Sequence, residues 1–485
     1  VTTFDARRGS QALLALGLAI FAWRCWVVTH LGITLYLDEA QYWTWAQHMA
    51  WGYYSKPPGV AALIWLSTTL FGDGLLGVKL LGMLCYPAAA AAGWAIARRL
   101  YDERTAFWSA IALLTLPMFA GLGLFVSTDA LLTLFWMLAL WAYLRALDGD
   151  AWGDWLLVGL FCGLGLLSKY TMLAWLAAAF LHLLILQRPR LASAKPWAAA
   201  VLALLILAPN IVWNFTHDFP TLKHTAEITL EKNTGHSLAA LGEFWAAQWG
   251  SFGPVLGCIF FVLLWQVRQS WQDSNKRLLL WFALPLWAVV SLQALKGGAN
   301  ANWAAPAFAP ATIALVAWLL QREKKRLLVI GLCANLLLVG LVYHWPAIIA
   351  AAQVDNPAKK NPYARAMGWD ELGRQLRPVF AAHPDAVLTS PTRNLMAHMG
   401  YQLRDLNPPA ASWNPGGQPD DHYKLTTDLR PYIGRDLIFV SLEPPTEKLA
   451  EHCSKLEDLG TFTAWLDATT PRSMYVYVLH GFTGY

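Results

Sequence analysis

The chain has 485 residues, 56% of them apolar and only 14% charged, with a net charge of +5; soluble domains carry about 25% charged residues. So little charge cannot coat the roughly three soluble domains this length would otherwise make, which points to a polytopic membrane protein. The 27 Trp suit the two interfaces of a bilayer, and the lack of a basic patch interleaved with exposed aromatics excludes a nucleic-acid binder.

Apolar runs long enough for about 30 Å of hydrocarbon fall at 11–30, 75–97, 105–122, 127–147, 153–168 and 171–187. Five more fall at 196–214, 250–267, 277–295, 303–320 and 326–344, making eleven expected spans. The run Val60 to Phe71 is apolar too, but a dozen helical residues reach only about 18 Å, so it is read as an interfacial or re-entrant helix. The first run is read as a retained anchor, since Arg24 interrupts it and no small-residue cleavage site follows. With the N-terminus inside, fifteen Arg and Lys residues fall on the cytoplasmic side. The outward loops between spans hold five lysines, Lys56, Lys169, Lys223, Lys232 and Lys296, and this asymmetry sets the orientation. It predicts a multi-pass inner-membrane protein, membrane domain 1–345, with 346–485 exterior.

From about residue 346 the composition becomes polar, with strand-like runs at Ala386–Thr389, Leu437–Leu442 and Met474–Leu479 and helical patterns at Trp369–Ala381 and Thr392–Met399. This predicts a small α/β domain. Of six cysteines only Cys453 lies in a polar segment, so their number says nothing about compartment.

The outward loops concentrate the reactive side chains. The first runs through Asp38, Glu39, Tyr42, Tyr53, Tyr54, Ser55 and Lys56-Pro57-Pro58. An acid at Asp38 or Glu39 could simply cap a helix over Ala40–Met49. Asp129, Lys169, Lys79 and Lys296 lie near the outer ends of spans. A charge in hydrocarbon there costs about 2.5–3.5 kcal/mol. Snorkelling accounts for each lysine singly, but several cations beside carboxylates describe an anion site. The loop 210–250 offers His217, His224, Glu227 and Glu231, which lack the two-His spacing of a metal site and are read as surface residues rather than ligands.

Taken in order, Asp38-Glu39, Gly52-Tyr53-Tyr54-Ser55-Lys56-Pro57-Pro58, Asp129, Ser168-Lys169-Tyr170, Trp213-Asn214 and Asn302-Trp303-Ala304-Ala305-Pro306 form a constellation. It resembles the bacterial lipid-linked-sugar glycosyltransferases related to protein O-mannosyltransferases and lipid A aminoarabinose transferases. The resemblance implies a GT-C fold, a polytopic helical membrane protein with juxtamembrane helices in the first outer loop and a small exterior α/β domain. The chain departs from the aminoarabinose transferases in having Ser55 where they have Glu, and in counting fewer spans. The resemblance also implies an inverting transfer from a polyprenyl-phosphate sugar donor, with no cofactor required and no metal site. The acceptor would be an envelope glycolipid such as lipid A, a glycan or a protein hydroxyl, in contact with membrane lipids. It implies Asp38, Glu39 and Asp129 as catalytic residues, Lys56, Lys169 and Lys296 at the donor phosphate, and Tyr42, Tyr53, Tyr54 and Asn302 elsewhere on the substrates. A transporter would instead show inverted repeats and broken spans in matching halves, which the sequence lacks. A scaffold would leave the acid pair and the outer lysines without a role.

Overall fold

The computed structural model describes residues 6–227, 237–354, 357–445 and 448–485. Among them, seven helices are long and apolar enough to cross a membrane: Arg7–His30, Leu75–Leu100, Thr128–Gly149, Ala194–Thr216, Ser274–Leu295, Ala301–Gln321 and Lys325–Tyr343. Four expected spans take other forms. Trp152–Ser168 and Met172–Leu186 are apolar helices of 17 and 15 residues, or about 26 and 22 Å. The single span expected at 105–122 is broken into Glu103–Leu114 and Pro117–Leu122. Pro117 holds Leu116 extended (φ −63°, ψ 123°), as a residue before proline prefers.

The span expected at 250–267 takes a different form. Leu238–Phe252 and Pro254–Trp265 are bent by 118° from a continuous helix, with Gly253 at φ +90°. A Cβ there would lie 1.7 Å from Asn335 Oδ1, so only glycine makes this corner. Counting all four broken or short segments as crossings is what it takes to reach eleven.

Ala301–Gln321 is buried along nearly its whole length and forms the centre of the bundle, as expected of a helix apolar on every face. Phe308 on it packs against Phe252 at 4.6 Å, and Phe252 stacks on Phe260 at 4.3 Å. The charge inside the first span is also explained. Arg24 is 1% exposed, donating from Nε to Tyr343 Oη at 3.0 Å and from Nη2 to Leu114 O at 3.3 Å. The exposed apolar residues, Leu14, Leu18, Leu204, Leu205 and Val212 among them, cover faces suited to lipid.

The polar remainder folds around a four-stranded sheet of β1 (Val387–Thr389), β2 (Leu437–Ser441), β3 (Cys453–Trp465) and β4 (Pro471–Phe482). Its order is β1-β2-β4-β3, with β1 parallel to β2 and the other pairs antiparallel. The three expected strands and both helices, Trp369–Ala382 and Arg393–Gln402, are present. The sequence reading missed β3, an edge strand carrying Lys455, Glu457 and Asp458 and half-exposed along its length, in keeping with how charged side chains mark sheet edges. The helices Trp369–Ala382 and Arg393–Gln402 share one core with the sheet through Leu372, Leu376, Leu395, Ile438 and Val476.

Arg393–Gln402 also packs on the membrane portion. Its Met396, Ala397 and Tyr401 join Leu35, Trp43, Trp45 and Val60 in one buried cluster. Tyr401 Oη donates to Asp73 O at 3.1 Å and Tyr423 Oη to Thr44 Oγ1 at 3.1 Å. The sheet domain is thereby clamped onto the first outer loop.

Candidate active site at the first outer loop

The loop contains two helices, Leu37–Gln47 and Gly59–Phe71. The first starts earlier than expected, so neither acid caps it. Both lie in its first turn, where carboxylates complement the helix dipole. Glu39 reaches back to accept from Tyr36 N at 2.9 Å, as the third residue of a capping box does. It also accepts from Val126 N at 2.7 Å and from Lys79 Nζ at 2.7 and 2.6 Å. Lys79 donates further to Leu124 O at 3.1 Å. This pair is sealed, with 0% and 1% of the side chains exposed. Glu39 therefore ties the loop helix to Leu75–Leu100 and to the turn before Thr128.

The second carboxylate, Asp129, stands in the first turn of Thr128–Gly149 and is 2% exposed. Its Oδ1 accepts from Lys169 Nζ at 2.7 Å and its Oδ2 from Asn302 Nδ2 at 2.7 Å. Lys169 sits just past the C-terminus of Trp152–Ser168, and Asn302 sits in the 3₁₀ turn leading into the central helix. Three separate elements thus converge on one carboxylate.

Lys56 lies close to that triad. Among the described residues no hydrogen bond or ion pair holds its Nζ. Burial, and then the neighbouring Lys169 ammonium, push its pKa down to about 8, with Asp129 and Asp38 pulling the other way. Lys56 and Lys169 together line a cavity of about 440 Å³, with Tyr170, Gln293 and Trp303 among its walls. A second, mostly apolar cavity of about 490 Å³ reaches Asn302 from another side, bordered by Tyr343 and Tyr363. The Lys169–Asp129–Asn302 chain therefore runs from one cavity to the other.

Asp38 is the exposed acid of the pair, with 61% of its side chain accessible, and Arg393 Nη1 lies 3.5 Å from its Oδ1. The same guanidinium donates to Gln41 Oε1 at 2.8 Å. Tyr42 is buried beside the helix start, its hydroxyl pKa raised well above the usual value by burial first, then by Asp38 and Asp129. Tyr53 stacks flat on Trp45 at 4.5 Å and donates to Trp45 O at 3.0 Å. Tyr54 N donates to His422 Nδ1 at 3.4 Å. The loop is pinned again where Asn210 Nδ2 donates to Trp51 O at 2.6 Å and Thr221 Oγ1 to Tyr53 O at 2.9 Å. A Cβ on Gly52 would lie 2.2 Å from Trp213, so the indole occupies the space a side chain would need.

Asp38, Lys56, Lys169, Asp129 and Asn302 thus gather at one place, and Glu39 sits behind them. Lys296 is exposed at the end of Leu284–Leu295 and lines neither cavity. His217 is held by Trp213, stacked on its ring at 4.3 Å, and His224 packs on Tyr54 at 5.1 Å. Glu231 and Lys232 lie outside the described residues. Sequence reasoning missed Arg393, His422 and Tyr423, which reach the loop from the sheet domain. It also missed Asn210, which lay three residues before the Trp213-Asn214 pair and carried a signal as a polar residue inside a span.

A many-span helical bundle, with a first loop of two short helices beside carboxylates, lysines and two cavities, is the architecture of a membrane glycosyltransferase of the GT-C class. Residues 55–213 match the family described as dolichyl-phosphate-mannose-protein mannosyltransferase. The lipid A galacturonosyltransferase RgtD of Rhizobium johnstonii is 31% identical over 439 residues, 89% of this chain and 90% of that one. An undecaprenyl phosphate-α-4-amino-4-deoxy-L-arabinose arabinosyl transferase of Pseudomonas aeruginosa is 25% identical, over 73% of this chain and 67% of that one. The crystal structure of ArnT from Cupriavidus metallidurans bound to undecaprenyl phosphate superposes with a TM-score of 0.68 over 97% of each chain. At 16% identity that likeness carries the fold. The chain belongs to the glycosyltransferase family of RgtD and is a multi-pass inner-membrane enzyme.

Proposed function

We propose that the chain moves a uronic-acid sugar from a polyprenyl-phosphate donor to lipid A, with inversion at C1, on the outer face of the inner membrane. The observation that carries this reading is Lys56, a cation without a protein partner among the described residues, beside a second lysine on the wall of a 440 Å³ cavity. In the transfer the C1–O bond to phosphate breaks, its electron pair leaves with the phosphate, and a bond forms from the acceptor oxygen to C1. A leaving phosphate needs no proton. It needs a cation placed in advance, in low dielectric, where charge develops. Lys56 supplies it, with Lys169 beside it, held in place by Asp129 and Asn302.

Asp38, the accessible carboxylate, takes the proton from an acceptor hydroxyl, and Arg393, itself held by Gln41, orients that acid. Where the acceptor is itself a phosphate, Asp38 instead positions it and stabilises the oxocarbenium-like transition state. Glu39 acts by positioning, since its oxygens already serve Lys79, Tyr36 and Val126. Tyr42 and Tyr54 border the acceptor side, Tyr53 props the loop, and Lys296, outside both cavities, is at most a secondary contact for the donor.

A uronate donor is supported by RgtD's name and by the cavity's charged side chains, two lysines with no unpaired carboxylate among the described residues of its lining. Orientation follows the positive-inside count, with residues 1–345 as membrane domain and 346–485 outside. The test is reconstitution with synthetic undecaprenyl-phosphate galacturonate and purified lipid A, read by mass spectrometry. A mass gain of one hexuronic acid on lipid A supports the reading, and transfer only from an aminopentose donor overturns it.

A further inference from the structure

Away from the catalytic loop, at the far end of the β1/β2 pair from Arg393, the sheet domain brings together a set of side chains that the transfer reaction does not use. His383 follows the helix Trp369–Ala382, Asp436 immediately precedes β2, and His480 lies on β4. His480 Nδ1 lies 2.9 Å and His383 Nδ1 3.6 Å from the same oxygen, Asp436 Oδ2. One ligand atom from each of the three falls within 4.8 Å of the others. Zinc with bonds of about 2.0–2.1 Å spaces tetrahedral ligands about 3.3 Å apart, and the two measured separations bracket that value.

The partners of these atoms point the same way. Asp436 Oδ1 is taken by Gly481 N at 2.9 Å, which leaves Oδ2 as the oxygen facing the histidines. His480 Nε2 lies 3.1 Å from Glu457 Oε2 on β3. With Nε2 held by Glu457, an ion entering the site would replace the proton that Nδ1 otherwise donates to Asp436 Oδ2, and would find that nitrogen already aimed at Asp436. A carboxylate holding the far N–H of a histidine is the arrangement that fixes the tautomer of metal-bound imidazoles. All four side chains are partly exposed, so an ion and a completing water can reach the site.

We propose that His383, Asp436 and His480 bind a divalent transition metal, zinc in the first instance, with Glu457 as the residue positioning His480 and water in the fourth place. Two imidazoles and one carboxylate suit zinc rather than magnesium or calcium, which take oxygen ligands. The ion ties the end of a helix to the starts and ends of two strands, and its role is structural. It does not depend on the donor or acceptor assignment.

The test uses the full chain in detergent, purified without a histidine tag, stripped with EDTA and titrated with zinc alone by calorimetry. Cobalt absorption serves as a second readout of nitrogen ligation. The expected result is one equivalent bound, a rise in Tm reversed by EDTA, loss of that equivalent in both His383→Ala and Asp436→Asn, and ten- to hundredfold weaker binding in Glu457→Gln. Far-ultraviolet dichroism of the apo variants checks that they fold. No zinc bound by the wild type would make the cluster a plain ion-paired histidine and overturn the proposal. Binding that survives both ligand substitutions would overturn it equally.

Discussion

Glu39–Lys79 and Asp129–Lys169 are two carboxylate–lysine pairs of nearly the same length, 2.6 and 2.7 Å, in neighbouring parts of the molecule. They differ in access. The first is closed off entirely and its oxygens are further occupied by backbone amides. In the second, Lys169 keeps 16% of its side chain exposed and borders a cavity, and beside it stands Lys56, unpaired among the described residues. The same chemistry is a brace where it is sealed and, in the function proposed above, a donor site where a cavity and Lys56 adjoin it.

The largest effect that would break this contrast lies at the sealed pair. Lys79→Met leaves Glu39 buried without its cation, which costs about 3–5 kcal/mol in such pairs. Thermal unfolding in detergent should show a large loss of Tm and little recoverable protein. A variant with wild-type Tm and impaired transfer would place Glu39 among the reacting groups. Next is Lys56→Met, which should keep its Tm and lose about a hundred- to a thousandfold in turnover, as removal of one transition-state charge contact does. Its Arg counterpart should recover only part, since the guanidinium differs in reach and geometry.

Asp38→Asn should likewise fold, and with a hydroxyl acceptor should lose about a hundredfold or more in turnover. Activity within about threefold of wild type would return Asp38 to a dipole-stabilising role at the helix start.

A smaller effect concerns pH. Lys56 titrates near 8 in the folded protein, below the ordinary lysine value near 10.4, so it is charged below pH 8 and neutral above. kcat/KM should fall about tenfold per pH unit above 8, and Lys56→Arg should remove that limb. Stability moves oppositely. The unfolded chain binds the extra proton between the two pKa values, so this group's contribution to stability rises from pH 8 toward 10. The smallest effect belongs to Lys296→Met, where an exposed lysine outside both cavities should cost no more than a few-fold in KM.

Much of this contrast was legible in the sequence. Asp38, Lys56, Asp129 and Lys169 stood out as charges at the ends of apolar runs, where hydrocarbon makes every charge conspicuous. What separates Glu39 from Asp38 was not legible, since it depends on Lys79 and Val126 N folding over one of two adjacent acids. Arg393 was hidden for a different reason. It is an ordinary basic residue in a polar domain, and only the packing of Arg393–Gln402 on the loop brings it to Asp38. The bend at Gly253-Pro254 and the break before Pro117 were visible as helix-breaking residues, but the length of the apolar runs overrode them. The edge strand β3 alternates charged and half-buried residues, a pattern that its neighbour β4 stabilises and local sequence does not.

In the proposed reaction Lys56 is the cation for the donor's phosphate. Equilibrium binding of undecaprenyl phosphate, without any sugar, to wild type and to Lys56→Met at pH 7 tests it most directly, because neither acceptor nor chemistry enters. The account predicts at least tenfold weaker binding in the variant with Tm unchanged, and a wild-type affinity that itself weakens above pH 8. Equal affinity of the two proteins at pH 7 would contradict it.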